Sequence, residues 1–183
     1  MTTNITLREA VSDVHEAAEQ TPLAQAMANG TMTEVQYHHY LFNMMLIYDA
    51  MERKLHFMPD DVKRVERYKS DLAALGRGAG TPVHATNRYV EYISRLTIPQ
   101  TWAHVYTHYL GNMYGGQMLG KHMAWQHTHL QFDNIKQCIS YVRANLDDVD
   151  HEEAKSAFAW TIEVYDELHN AFGRDSTAAK ASD

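Results

Sequence analysis

The chain is poor in the residues that staple, break or anchor a fold. Its 183 residues include one cysteine, Cys138, so no disulfide can form within the chain. That suits a reducing compartment, and a cytoplasmic location is the expectation. Four prolines leave long stretches free of the residue that most disrupts helices. No apolar run approaches the ~20 residues a membrane helix needs, and the opening "MTTNITLREA" has no signal-peptide apolar core. A soluble protein without membrane contact is therefore expected. Positive charge is also scarce: 16 Lys and Arg stand against 23 Asp and Glu, a formal net charge of −7. That argues against nucleic-acid binding, which needs a basic surface.

What is present is helical periodicity. "TLRE", Thr6 to Glu9, reads as a capping box. Leu7, Val11, Val14 and Ala18 then share one face. Pro22 breaks or kinks that helix, and Gly30 ends the next short piece. "TEVQ" from Thr33 opens a long helix carrying Tyr37, Tyr40, Leu41, Met44, Met45, Tyr48, Met51 and Leu55. Further helices are expected from about Asp60 to Leu75, from Thr81-Pro82 to about Leu96, from Pro99 through a glycine-rich segment, near Asp133–Asp147, and over Asp150–Phe172. No strand signal, linker or internal repeat appears. The expectation is an all-α single domain over residues 1–183, with a flexible tail at 173–183.

The segment "YTHYLGNMYGGQMLGKHMAW" holds Gly111, Gly115, Gly116 and Gly120. Each glycine costs roughly 1 kcal/mol against alanine inside a helix. Gly111 and Gly115 share a face, as do Gly116 and Gly120. Three explanations stand: close helix packing, a kink, or a flat ligand lying on bare backbone. A membrane dimer motif is disfavoured by Asn112, Gln117 and Lys121.

His15 follows Val11 by four residues and Leu7 by eight, which places it on the buried stripe of the first helix. A lone histidine there is more often a satisfied core residue than a ligand. Glu19, one turn on, suits the carboxylate that fixes a ligating imidazole. Arg8 lies about 10 Å back along the axis on nearly the same face. The other histidines show no zinc or di-iron spacing. A single apolar-face histidine fits a metal that brings its own equatorial ligands, as haem does.

In "LREAVSDVHEAAEQTPL", "YTHYLGNMYGGQMLGK" and "EEAKSAFAWTIEVYDEL", in that order over residues 6–172, the chain resembles haem oxygenase. The resemblance implies a helical bundle with haem b sandwiched between a proximal and a kinked distal helix. It implies oxidative cleavage of haem to biliverdin, carbon monoxide and ferrous iron, with dioxygen and external electrons. Haem is then substrate and cofactor together. His15 corresponds to the iron ligand and Glu19 to its hydrogen-bond partner. Gly111, Gly115 and Gly116 correspond to the glycines that lay backbone against the haem, and Gly111, Asn112 and Gly115 to the catalytic distal face. Arg8 and Lys136 correspond to propionate partners, Tyr106 to a tyrosine near them, and Phe158 to an aromatic packed on haem. A ferredoxin or similar reductant and a downstream bilin reductase are the implied partners, since no flavin or nucleotide fingerprint is visible.

Two departures bear on proton delivery. The family's distal aspartate is Asn112 here, and an arginine before "LG" is His108. An amide holds water but carries no proton. Tyr48, Tyr89, His108 and Thr161 are the candidates for a substitute relay. A base expected four positions after Lys136 is Ser140, leaving Arg143 to replace it. The competing readings are a haem-sequestering protein without turnover, a thiamin-degrading enzyme using Cys138, and a purely structural bundle.

Overall fold

The computed structural model describes residues 5–173, so all of the expected tail except Gly173 lies outside the described residues. Ten α-helices occupy Leu7–Ala10 (α1), Ser12–Glu19 (α2), Pro22–Ala28 (α3), Glu34–Lys54 (α4), Val65–Leu75 (α5), His84–Arg95 (α6), Ile98–Val105 (α7), Gly111–Gly120 (α8), Ile135–Arg143 (α9) and His151–Phe172 (α10). A π-helical turn, Tyr106–Leu110, joins α7 to α8 without a break. There is no strand among the described residues, so the fold is all-α.

Local chemistry sets the boundaries. Thr6 and Glu9 form the reciprocal capping box, with Glu9 Oε2 accepting the Thr6 N–H at 2.8 Å. Thr33 with Gln36 and Thr97 with Gln100 repeat that device at α4 and α7. Pro22 does not kink a continuous helix; it sits at the first position of α3, capped by the Thr21 hydroxyl. Gly76 ends α5 in the left-handed region at φ +63°, which glycine adopts without strain.

Two expected boundaries move. The helix expected from Thr81-Pro82 starts at His84. Asn43 explains this: its Nδ2 donates to the Thr81 carbonyl at 3.0 Å and its Oδ1 accepts the Val83 N–H at 2.9 Å. Residues 81–83 are thereby held against α4. The helix expected from about Asp60 starts at Val65, because Glu52 Oε1 accepts the N–H groups of Arg64 and Val65. The buried Arg64 guanidinium meanwhile ties down the carbonyls of Asp61, Val62, Lys63 and Gln131.

Helix α4 runs through the main core, burying Tyr37, Leu41, Ile47, Tyr48 and Met51 completely. It packs on α5, α6, α7 and α10. A second, smaller core joins Val11 and Ala18 to Ala103 of α7 and to Ala154 and Phe158 of α10. Alanines in that set let α2 approach α10 closely. The second core thus fixes where His15 sits relative to the helix that carries the glycines.

Candidate functional site

The expected stripe on the first helices is real: Val11 and Ala18 are buried and Leu7 and Val14 are partly covered. His15 departs from it. Its side chain is 53% exposed rather than buried. One residue on from Val14, it is turned about 100° from that side chain, to the edge of the stripe. Only the edge of its ring is covered, by Phe158, at a centroid distance of 5.6 Å and an interplanar angle of 66°. Its Nδ1 faces Glu19 Oε1 at 3.7 Å, beyond hydrogen-bond length but on the side expected. Nε2 is therefore the nitrogen left to a ligand.

Tyr106 packs against the same small core as His15's neighbours Val11 and Phe158. Burial pushes its phenol up, and the Arg8 guanidinium works against that rise. His15, Phe158 and Tyr106 thus share the region of the smaller core. Lys136 lies on α9 and is exposed. Arg143, at the end of the same helix, lies with its guanidinium carbon 5.6 Å from the centre of the Tyr114 ring on α8. That contact brings α9's terminal charge to the glycine helix.

The four glycines divide into two kinds. A Cβ built on Gly111 or on Gly115 would meet nothing within 4 Å. A Cβ on Gly116 would lie 3.3 Å from Leu130, and one on Gly120 would lie 2.9 Å from His127 Nε2. Gly116 is therefore seated on Leu130, a contact that Gly111 and Gly115 lack. The bare face of Gly111 and Gly115 is bordered by Tyr114 and Met118, whose residues are 53% and 70% exposed. Large apolar side chains left open beside bare backbone mark a surface that something flat and apolar can cover. The irregularity of this helix is the π turn preceding Gly111, not a break at the glycines. It widens the helix by one residue per turn just before the open face.

Behind that face lies a polar network. Asn112 Nδ2 donates to the Tyr48 hydroxyl at 2.7 Å, and Tyr48 donates to the His108 carbonyl at 3.0 Å. The Tyr68 ring is buried beside Tyr48, with centroids 5.0 Å apart. Deeper, Tyr89 Oη lies 2.7 Å from His104 Nδ1 and 3.0 Å from His108 Nε2. His104 Nε2 reaches Glu153 Oε1 at 2.9 Å, and Tyr92 donates to the same oxygen at 2.7 Å. The Thr161 hydroxyl stands 3.5 Å from His108 Nε2. Tyr48, Tyr89, His108 and Thr161 thus do converge. His104 and Glu153 were not anticipated, although His104 precedes His108 by one helical turn.

Electrostatics fix the protons here. Burial, with help from His104, pushes His108 down to about 3, so its ring is neutral. The hydrogen bond from His104 holds Glu153 below the usual carboxylate range despite its burial. One tautomer assignment consistent with a neutral His108 runs through all three contacts. Glu153 accepts from His104 Nε2–H, His104 Nδ1 accepts from the Tyr89 hydroxyl, and Tyr89 accepts from His108 Nε2–H.

Cys138 is buried, and burial pushes its thiol up. A thiol so placed is a poor nucleophile. Among the described residues, no cluster of three or more His, Cys, Asp or Glu is placed to hold a metal ion. No helix among them is long and apolar enough to cross a membrane.

Comparison with known proteins bears on this arrangement. Residues 1–138 match the family model described as heme oxygenase. Heme oxygenase 1 of Gallus gallus is 26% identical, covering 88% of this chain and 68% of its own length. The heme oxygenase of Guillardia theta is 28% identical over 64% of this chain, and the match spans 56% of that protein. Among solved structures, heme oxygenase-1 of the cyanobacterium Synechocystis in complex with heme superposes at a TM-score of 0.80. It is 20% identical, covering 94% of this chain and 95% of that one. The heme oxygenase of Leptospira interrogans superposes at 0.78 with 23% identity, covering 88% and 97%.

Proposed function

The chain belongs to the haem oxygenase family, and from that premise we propose that it binds haem b and cleaves it to biliverdin, carbon monoxide and ferrous iron. The open backbone at Gly111 and Gly115 carries this reading, because an ordinary packed helix has no use for bare glycines facing nothing. The residues present fit a flat macrocycle: a half-exposed imidazole, an aromatic edge beside it, and a helix face bordered by exposed Tyr114 and Met118.

When bound, haem supplies the redox chemistry and the carbon that dioxygen attacks. The protein's residues then have distinct tasks. His15 holds iron through Nε2, and Glu19 steadies the Nδ1–H. Phe158 keeps the imidazole from turning. Gly111 and Gly115 would present backbone rather than side chains to the haem. Arg8, Tyr106, Lys136 and Arg143 supply donors for the propionates. Asn112 cannot transfer a proton, so it positions the Tyr48 hydroxyl, and water carries the proton. The bilin spectrum gained on supplying haem, dioxygen and reductant in the presence of catalase tests the reading. Haem absorption that persists instead supports the second reading, sequestration, which Asn112 favours.

The electron donor in this reading is a ferredoxin or similar small carrier, with a bilin reductase downstream and the cytoplasm as the compartment. A chain of net charge −7 needs a local basic face for an acidic carrier, and Arg8, Lys136 and Arg143 are the candidates for it. Association that slows with added salt supports this docking; indifference to salt removes it.

A further inference from the structure

Asp71 on α5 is a buried carboxylate whose hydrogen-bond partners all come from one short stretch. Its Oδ1 accepts from the Thr128 N–H at 2.8 Å, from the Thr128 hydroxyl at 2.7 Å and from Gln126 Nε2 at 3.1 Å. Its Oδ2 accepts from the His129 N–H at 2.9 Å and from His129 Nδ1 at 2.7 Å. Burial alone would raise this carboxyl, yet those bonds hold it at about 2, so at neutral pH it is ionised and only accepts. Hydrogen bonds to a charged group are the strong kind. Together they lock residues 126–129 to α5. Helix α4 adds to the hold: the Tyr37 hydroxyl donates to the Gln126 carbonyl at 2.7 Å, and the Tyr37 ring stacks on Trp125 with centroids 5.2 Å apart.

The locked stretch is the seat of the glycine helix. Apart from the π turn that runs into it, the chief neighbour of α8 is the turn Thr128–Leu130. Within α8 only Met113 and Gly116 are buried. Gly116 lies on Leu130 and Gly120 on His127, and neither glycine has a side chain to interlock with its neighbour. A cavity of about 260 Å³ opens beside the seat, lined by Gln117, Lys121 and Gln131 as well as the seat residues. The helix therefore has room to shift if the turn moves. Coupling of this kind travels through contiguous packed groups. From this geometry we propose that Asp71 is a positioning residue: by clamping residues 126–129 it holds the seat of α8, and so sets how closely the open Gly111–Gly115 face approaches a ligand. Its bearing on haem rests on the reading above.

Hydrogen exchange of the haem-free, full-length chain tests the clamp without any ligand. Asp71→Asn should speed exchange of the Gly111–Gly120 amides by about tenfold or more, the equivalent of one lost hydrogen bond to a charged group. A loss of overall stability alone would speed the amides of α4 and leave those of α8, which open locally, unchanged. Thr128→Val removes one donor and spares the carboxylate. It should raise α8 exchange by about threefold, and it keeps the test decisive if Asp71→Asn does not fold. Leu130→Ala unseats the helix and leaves the clamp in place, so adding Thr128→Val to it should change α8 exchange little further. Unchanged α8 exchange in the clamp variants, or full additivity of Thr128→Val with Leu130→Ala, overturns the proposal.

In the haem complex, the rate of haem release should rise in the same order, Thr128→Val below Leu130→Ala. Release that stays at the wild-type rate while α8 exchange rises overturns the link between clamp and ligand. A wild type that takes up no haem overturns the haem reading, and the exchange measurements still decide the clamp.

Discussion

Alanine at Gly115, alone and with alanine at Gly111, separates a ligand-facing glycine from a packing one. Both positions are helical, and neither added Cβ would meet an atom within 4 Å. The haem-free protein should therefore gain helix propensity without a clash, roughly 1 kcal/mol per site. For a domain of this size that is roughly 2–4 °C in Tm per substitution. Haem should pay the cost: a methyl intruding on a fitted surface costs roughly 1–3 kcal/mol, or about ten- to a hundredfold in affinity. Gly116→Ala should behave oppositely, because its Cβ would press on Leu130 at 3.3 Å. Overpacking there, roughly 1–3 kcal/mol, cancels or exceeds the propensity gain. Thermal unfolding of the haem-free variants and Soret titration with haem measure both effects. If Gly115→Ala fails to stabilise the haem-free protein, the face is not open. If it stabilises and haem uptake is untouched, the face is open but haem does not use it.

Other outcomes follow from the same geometry. Asn112→Asp places an acceptor beside the Tyr48 hydroxyl, so bilin formation in single turnover should hold or rise; a large loss would show a different proton path. His108 shifts from 6.5 to about 3 in the folded chain, so between those values the unfolded chain binds a proton that the folded one refuses. Stability should fall as pH drops through that window, by up to about 1.4 kcal/mol per pH unit from this ring. Denaturant midpoints should show a shallower slope in His108→Gln, with His129, also lowered by burial, supplying part of the remainder; an unchanged slope would mean that His108 is not buried neutral. Asp71 is held at about 2, against burial, by hydrogen bonds from His129 and Thr128. Its depressed value adds stability above the ordinary carboxylate range that is lost as pH falls toward 2, and Asp71→Asn should cost about 3 kcal/mol or more by chemical denaturation.

Much of the fold is written in short-range signals. The Thr-x-x-Glu and Thr-x-x-Gln boxes, proline at a first turn and glycine past a last one act within a few residues, and they mark the ends of α1, α3, α4 and α5. Boundaries set by long-range partners were not legible: Asn43 and Glu52 on α4 hold back the starts of α6 and α5. The π turn at Tyr106–Leu110 carries no residue signature in the sequence. At the site, spacing set His15 one turn from Glu19 and Gly111 one turn from Gly115, and the structure keeps both pairs on a common helix side. Spacing could not tell Gly116, seated on Leu130, from its neighbours. Nor could it reveal that Glu153, 49 residues from His104, closes the network around Tyr89.

The claim beneath all of this is that His15 Nε2 is the protein's bond to the haem iron. Absorption and resonance Raman spectra of the ferric haem complex of His15→Ala, before and after added imidazole, test it directly. The account predicts that the variant loses the histidine-ligated signature and that free imidazole, entering the space vacated beside Phe158, restores it. A variant that keeps an unchanged imidazole-ligated spectrum without added imidazole would contradict the account.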